Sequence, residues 1–157
     1  MTKVLFVCLG NICRSPTADG IFRELVTQAK LDQKIIVDSA GTSNWHPGKE
    51  PDPRTTEAAR KRGYDLSVLR ARQVQAQDFD EFDFILAMDG ANLADLQRMK
   101  PAHFAGHLGL FLEFAQRRDY REVPDPYYGG GEGFELVLDL VEDAAQGLLN
   151  HVRQHLY

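Results

Sequence analysis

Cys8 and Arg14 stand at the two ends of a short turn, Cys8-Leu-Gly-Asn-Ile-Cys-Arg14-Ser15. A thiol and a guanidinium at that spacing can act together on a tetrahedral oxyanion such as a phosphoryl group. The backbone amides of Leu9, Gly10, Asn11, Ile12, Cys13 and Arg14 can converge as a concave nest, and a helix starting just after them adds its positive dipole end. Gly10 and Asn11 tolerate the left-handed backbone that such a nest requires. Arg14 can grip two oxygens of the anion through its planar fork, which a lysine cannot do. The same field favours the thiolate of Cys8, the form in which cysteine is a nucleophile. Ser15 can donate its hydroxyl to that thiolate and help it depart later. Read singly, Cys8 is a buried strand residue and Arg14 a surface charge; the turn that joins them favours the chemical reading. A nucleotide-binding GxxxxGK[ST] loop also links a strand to a helix, but this turn begins with Cys and contains no lysine after a glycine.

Splitting an ester of that anion also needs a proton for the departing oxygen. Asp125 is the candidate donor, in Asp125-Pro-Tyr-Tyr-Gly-Gly130. Pro124 and Pro126 stiffen its surroundings, and the following glycines mark a loop facing a cleft.

These residues need a scaffold that brings the two ends of the chain together. Lys3 to Cys8 reads as a buried strand, and Ser15 and Pro16 as the cap and first position of a helix whose apolar face carries Ala18, Ile21, Phe22, Leu25 and Ala29. A second strand is expected over Lys34 to Ala40, then a loop from Gly41 to Pro53 and a helix from Arg54 to Arg62. Phe82 to Met88 reads as a third strand, with Asp89 capping a helix that runs to about Lys100. His107 to Phe114 reads as a fourth strand into which a helical turn can intrude. The apolar spacing from Gly133 to Leu156 gives the longest helix. Strands alternating with helices predict an α/β fold: one domain over residues 1–157, a parallel sheet with helices on both faces, and the phosphate-binding loop between the first strand and first helix. In such sheets ligands bind at the carboxyl ends of the strands, where the turn after Cys8 lies.

Composition agrees with an ordinary globular chain: 43% hydrophobic and 26% charged residues over 157 positions. The formal net charge of -5 argues against nucleic-acid binding. The apolar run Val4 to Leu9 is too short for a signal peptide or a membrane span, so the expectation is a cytoplasmic protein with no membrane partner. Two cysteines flanking one turn predict no structural disulfide, and no zinc-ligand spacing surrounds them, so no metal is expected. The five histidines are scattered and read as surface or packing residues.

The pattern resembles the low molecular weight protein tyrosine phosphatases over nearly the whole chain. The resemblance is carried by Val-Leu-Phe-Val-Cys-Leu-Gly-Asn-Ile-Cys-Arg-Ser-Pro at the front, Val-Asp-Ser-Ala around Ser39, Ala71-Arg-Gln, Ala87-Met-Asp89 and Asp-Pro-Tyr-Tyr-Gly near the end. It implies a four-stranded parallel sheet, Cys8 as nucleophile, Arg14 as phosphate binder, Asp125 as general acid, and neither metal nor organic cofactor. It further implies that Asn11, Ser15 and Ser39 brace the phosphate loop, and that Trp45, Tyr127 and Tyr128 wall a slot deep enough for a phosphotyrosine ring. Tyrosine-phosphorylated proteins are then the substrates, and the chain a monomer or weak dimer. By the same resemblance, Cys13 can form a disulfide with Cys8 under oxidation. One feature departs from the pattern: Leu69 stands where relatives commonly carry His, so one brace is absent or replaced. The related arsenate reductases need cysteines beyond Cys13, which this chain lacks. Arginine phosphatases typically carry Thr where Ile12 stands, so Ile12 favours the tyrosyl substrate.

Overall fold

Four consecutive residues, Val4 to Val7, have no solvent exposure, as a strand covered on both faces requires. They form the middle of β1 (Thr2–Cys8). The computed structural model describes residues 1–126 and 131–156, the side chains of 131 and 132 excepted. β2 (Ile35–Gly41), β3 (Phe84–Ala87) and β4 (His107–Leu110) complete one parallel sheet in the order β2-β1-β3-β4. The helices are α1 (Arg14–Gln28), α2 (Pro53–Lys61), the short α3 (Asp78–Glu81), α4 (Gly90–Met99) and α5 (Gly131–Arg153). The expected α/β architecture is the one observed.

Because side chains alternate along a strand, β1 feeds two cores. Val4 and Phe6 pack with Ile21 and Phe22 of α1 and with Leu138, Val141 and Leu148 of α5. Leu5 and Val7 face the other way, toward Phe79, Ile85 and Leu96. Phe6 is the pivot of the first core, meeting Phe22 and Phe111 edge-on at 5.6 and 5.0 Å between ring centroids.

Several boundaries differ from the sequence expectation for identifiable reasons. The third strand is shorter than Phe82 to Met88 because Phe82 ends α3, an element not anticipated. The fourth strand stops at Leu110, and Phe111 to Phe114 form a 3₁₀ turn. The second helix starts at Pro53, and its cap is Asp52, whose carboxylate accepts from Arg54 N–H at 2.8 Å and Thr55 N–H at 3.4 Å. Ser15 is not the cap of α1: the helix already includes Arg14, and Ser15 lies in its first turn. Its hydroxyl is engaged by Asn11 and Cys8 instead.

Chain order reverses around β1, with β2 on one side and β3 on the other, and the carboxyl ends of β1 and β3 open onto one crevice. Cys8 ends β1, and Asp89 follows β3 by two residues. The fold therefore delivers both to the same place.

Candidate active site

The turn between β1 and α1 is held from outside. The carbonyls of Cys8 and Leu9 accept from Thr42 and Ser43 N–H, each at 2.9 Å, and that of Ile12 from Asp52 N–H at 2.8 Å. With its carbonyls engaged outward, the turn directs the Asn11 N–H to Cys8 Sγ at 3.3 Å. Ser15 Oγ approaches the same sulfur to 3.1 Å. Asn11 has φ 58°, the left-handed conformation that asparagine tolerates. Its side chain is the hub of the brace. Nδ2 donates to Ser15 Oγ at 2.7 Å and to Ser39 Oγ at 3.0 Å, and Oδ1 accepts from Arg72 N–H at 3.0 Å. Arg72 is clamped in turn between the carboxylates of Asp38 and Asp78, at 3.0–3.2 Å. The predicted partners Asn11, Ser15 and Ser39 thus form one buried network.

Arg14 is 4% exposed and projects from the start of α1 toward the carboxyl end of β3. Its Nη1 donates to Asp89 Oδ2 at 2.7 Å and to the Val123 carbonyl at 3.1 Å. Its Nη2 lies 3.8 Å from Asp125 Oδ2. Burial disfavours the guanidinium charge, but Cys8, Asp89 and Asp125 outweigh it and raise its pKa. Asp89 has two functions at once: Oδ2 holds Arg14 while Oδ1 caps α4 by accepting from Asn92 N–H at 2.8 Å. Two separate oxygens make the roles compatible.

Cys8, Leu9, Gly10, Ile12, Cys13, Arg14, Trp45, His46 and Asp125 line one cavity of about 340 Å³. The amino-terminal turn and the distant Asp125 therefore meet. Trp45 stands at the rim, 66% exposed, as a wall over open space rather than a core residue. Cys13 is also in the lining, a free thiol pushed up to about 12 chiefly by burial. Cys8 is free as well. Tyr127 and Tyr128 lie outside the described residues.

Two residues of the site differ from the sequence expectation. Gly10 does not supply a left-handed backbone, a role that falls to Asn11 alone within the turn. Gly10 instead leaves room for His46, whose Cδ2 would stand 3.1 Å from a Cβ at that position. His46, expected at the surface or in packing, lines the cavity, and its place beside Trp45 in a turn-rich loop is the one sequence signal for this. Leu69, where the resemblance implies an absent or replaced brace, packs partly buried against the larger core. Among the described residues, no group of three His, Cys, Asp or Glu side chains is placed to hold a metal ion.

A family model described as low molecular weight phosphotyrosine protein phosphatase matches residues 3–156. The chain belongs to that family. Within it, the slr0328 protein of Synechocystis sp. is 50% identical over 155 residues, covering 98% of each chain. A crystal structure of a protein tyrosine phosphatase from Entamoeba histolytica with Hepes in the active site superposes with a TM-score of 0.95 at 39% identity, covering 99% of each chain. The Drosophila arginine phosphatase DARP gives a TM-score of 0.90 at 34% identity, covering 96% of this chain and 98% of that one.

Proposed function

We propose that this protein is a phosphotyrosine protein phosphatase that works through a phosphocysteine on Cys8. The observation that carries the reading is the shared cavity: the Cys8 thiol, the Arg14 guanidinium and the Asp125 carboxyl group all line it. The phosphoryl group sits in the turn from Leu9 to Arg14, with the Arg14 fork and the loop amides on its oxygens. Cys8 Sγ attacks phosphorus, the S–P bond forms, and the P–O bond to the tyrosyl ring breaks as Asp125 gives its proton to the departing oxygen. Water then attacks phosphorus, Asp125 takes its proton, and the S–P bond breaks to return the thiolate. Ser15 Oγ, 3.1 Å from Sγ, stabilises the thiolate as it leaves.

Ile12 in the cavity wall and Trp45 at its rim support an aryl substrate, since an apolar wall and an indole face suit a phenyl ring better than a charged phosphoguanidinium. Tyr127 and Tyr128 complete that slot in this reading. Its substrates are tyrosine-phosphorylated proteins. Free thiols at the reacting centre suit a reducing compartment, so the cytoplasm is the proposed location. Among the described residues, no helix is long and apolar enough to cross a membrane.

The test is turnover of p-nitrophenyl phosphate and of a phosphotyrosine peptide in the presence of a chelator. Cys8→Ser is expected to abolish turnover while phosphate still binds, and turnover by that variant would remove Cys8 from the mechanism. A phosphoarginine peptide hydrolysed faster than the phosphotyrosine peptide would overturn the substrate assignment.

A further inference from the structure

The segment that delivers Asp125 hangs from the corner between β3 and α4. Val123 N–H donates to the Met88 carbonyl at 2.8 Å, and the Val123 carbonyl accepts from Arg14 at 3.1 Å. One further bond is made by a side chain of the segment itself: Glu122 Oε2 accepts from Gly90 N–H at 2.6 Å. Gly90 is the first residue of α4, so the carboxylate sits on one of the amides that a helix leaves without an internal partner. Asp89 Oδ1 occupies another, at Asn92. Two carboxylates thus share one helix start, one holding Arg14 and the other the chain leading to Asp125. A Cβ at Gly90 would stand 2.9 Å from Glu122 Oε2, so glycine there leaves the seat open.

We infer that Glu122 is a positioning residue for Asp125, fixing the proton donor by anchoring its segment on the amino end of α4. The inference rests on the proposed role of Asp125 as general acid. Glu122 is exposed and touches none of the reacting groups, so its effect is on where the acid stands rather than on phosphate affinity. Removing the anchor leaves the backbone bonds of Val123 in place and lets the segment shift by a fraction of its length, a displacement of the kind that reduces a positioned proton transfer without unfolding the chain.

The experiment compares kcat/KM for phenyl phosphate, whose phenol has a pKa of about 10 like that of tyrosine, with that for p-nitrophenyl phosphate, whose phenolate leaves more easily. Both substrates are measured on one preparation, so the ratio is independent of the fraction of active protein. Glu122→Ala is expected to lower kcat/KM about tenfold for phenyl phosphate and by less than about threefold for p-nitrophenyl phosphate. Glu122→Gln, which keeps an acceptor, recovers most of the ratio. Gly90→Ala displaces the carboxylate from the other side, and the double variant is expected to be no worse than the worse single one. A loss equal for both substrates, no loss, or full additivity in the double variant would overturn the inference. Asp125→Ala separates this outcome from failure of the underlying reading. A steep leaving-group dependence in that variant with none in Glu122→Ala sinks only the anchor, whereas a flat response in Asp125→Ala sinks the acid assignment itself.

Discussion

Replacing Asn11 by Ala removes the hub of the turn between β1 and α1, and the structure sets the size of the effect. Three hydrogen bonds of the side chain, at 2.7, 3.0 and 3.0 Å, disappear together. At about 1 kcal/mol net for each, their loss amounts to roughly 3 kcal/mol. Alanine at φ 58° adds about 1 kcal/mol, because its Cβ crowds the carbonyl in the left-handed region without the local hydrogen bonding that asparagine brings. Asn11→Ala is therefore expected to lose about 4 kcal/mol, and Asn11→Gly, which is free of the backbone term, about 3 kcal/mol. For a chain of this length each kcal/mol corresponds to about 2–4 °C, so Asn11→Ala should melt roughly 8–16 °C below the parent. Differential scanning calorimetry near neutral pH reads both variants directly. Adding inorganic phosphate should raise the Tm of the parent more than that of either variant, because a loop that has lost its brace holds the anion less well. An Asn11→Ala variant within about 1 kcal/mol of the parent would refute the claim that this network braces the loop.

Three further outcomes follow from the same geometry. With its thiol pushed up to about 12, chiefly by burial, Cys13 should take up no iodoacetamide in the native protein near neutral pH, so peptide mass spectrometry showing an adduct on Cys13 would contradict the environment assigned to it. Asp89→Asn keeps an oxygen to cap α4 but loses the ion pair with Arg14, whereas Asp89→Ala loses both; urea unfolding should place the Ala variant about 1 kcal/mol below the Asn variant. Burial, His155 and His107 lower the pKa of His151 from its ordinary value of 6.5, so the folded chain binds this proton less readily than the unfolded one. Its contribution to stability is present above about pH 6.5 and lost as pH falls through that value toward the folded pKa, and His151→Phe should flatten the urea midpoint over that window.

The fold was largely legible because its signals are local. Alternation and β-branching in β1, the cap at Asp89 and the apolar stripe of α5 each require only a short window of sequence. The brace was legible only in part. Asn11, Ser15 and Ser39 could be named, but Arg72 N–H as the donor to Asn11 Oδ1 is a backbone group whose position depends on the Asp38 and Asp78 clamp. No pattern in the chain signals such a contact. Ser15 carries two expectations, a helix cap and a hydroxyl beside the Cys8 sulfur, and only the second is met. His46 escaped notice because a lone histidine in a turn-rich loop carries no periodicity, and its relation to Gly10 exists only once the loop after β2 folds over the turn. Glu122 reads as one more surface acid until the amide of Gly90, far away in sequence, is seen beneath it.

In the proposed mechanism phosphate passes through a bond to Cys8. Rapid mixing of the protein with excess p-nitrophenyl phosphate, an alkaline quench within one turnover and peptide mass spectrometry test it directly. The expected result is a phosphorylated peptide containing Cys8, absent from Cys8→Ser, formed as fast as the first equivalent of nitrophenol appears. Release of that first equivalent with no phosphate on the Cys8 peptide, or with phosphate on another residue, would contradict it.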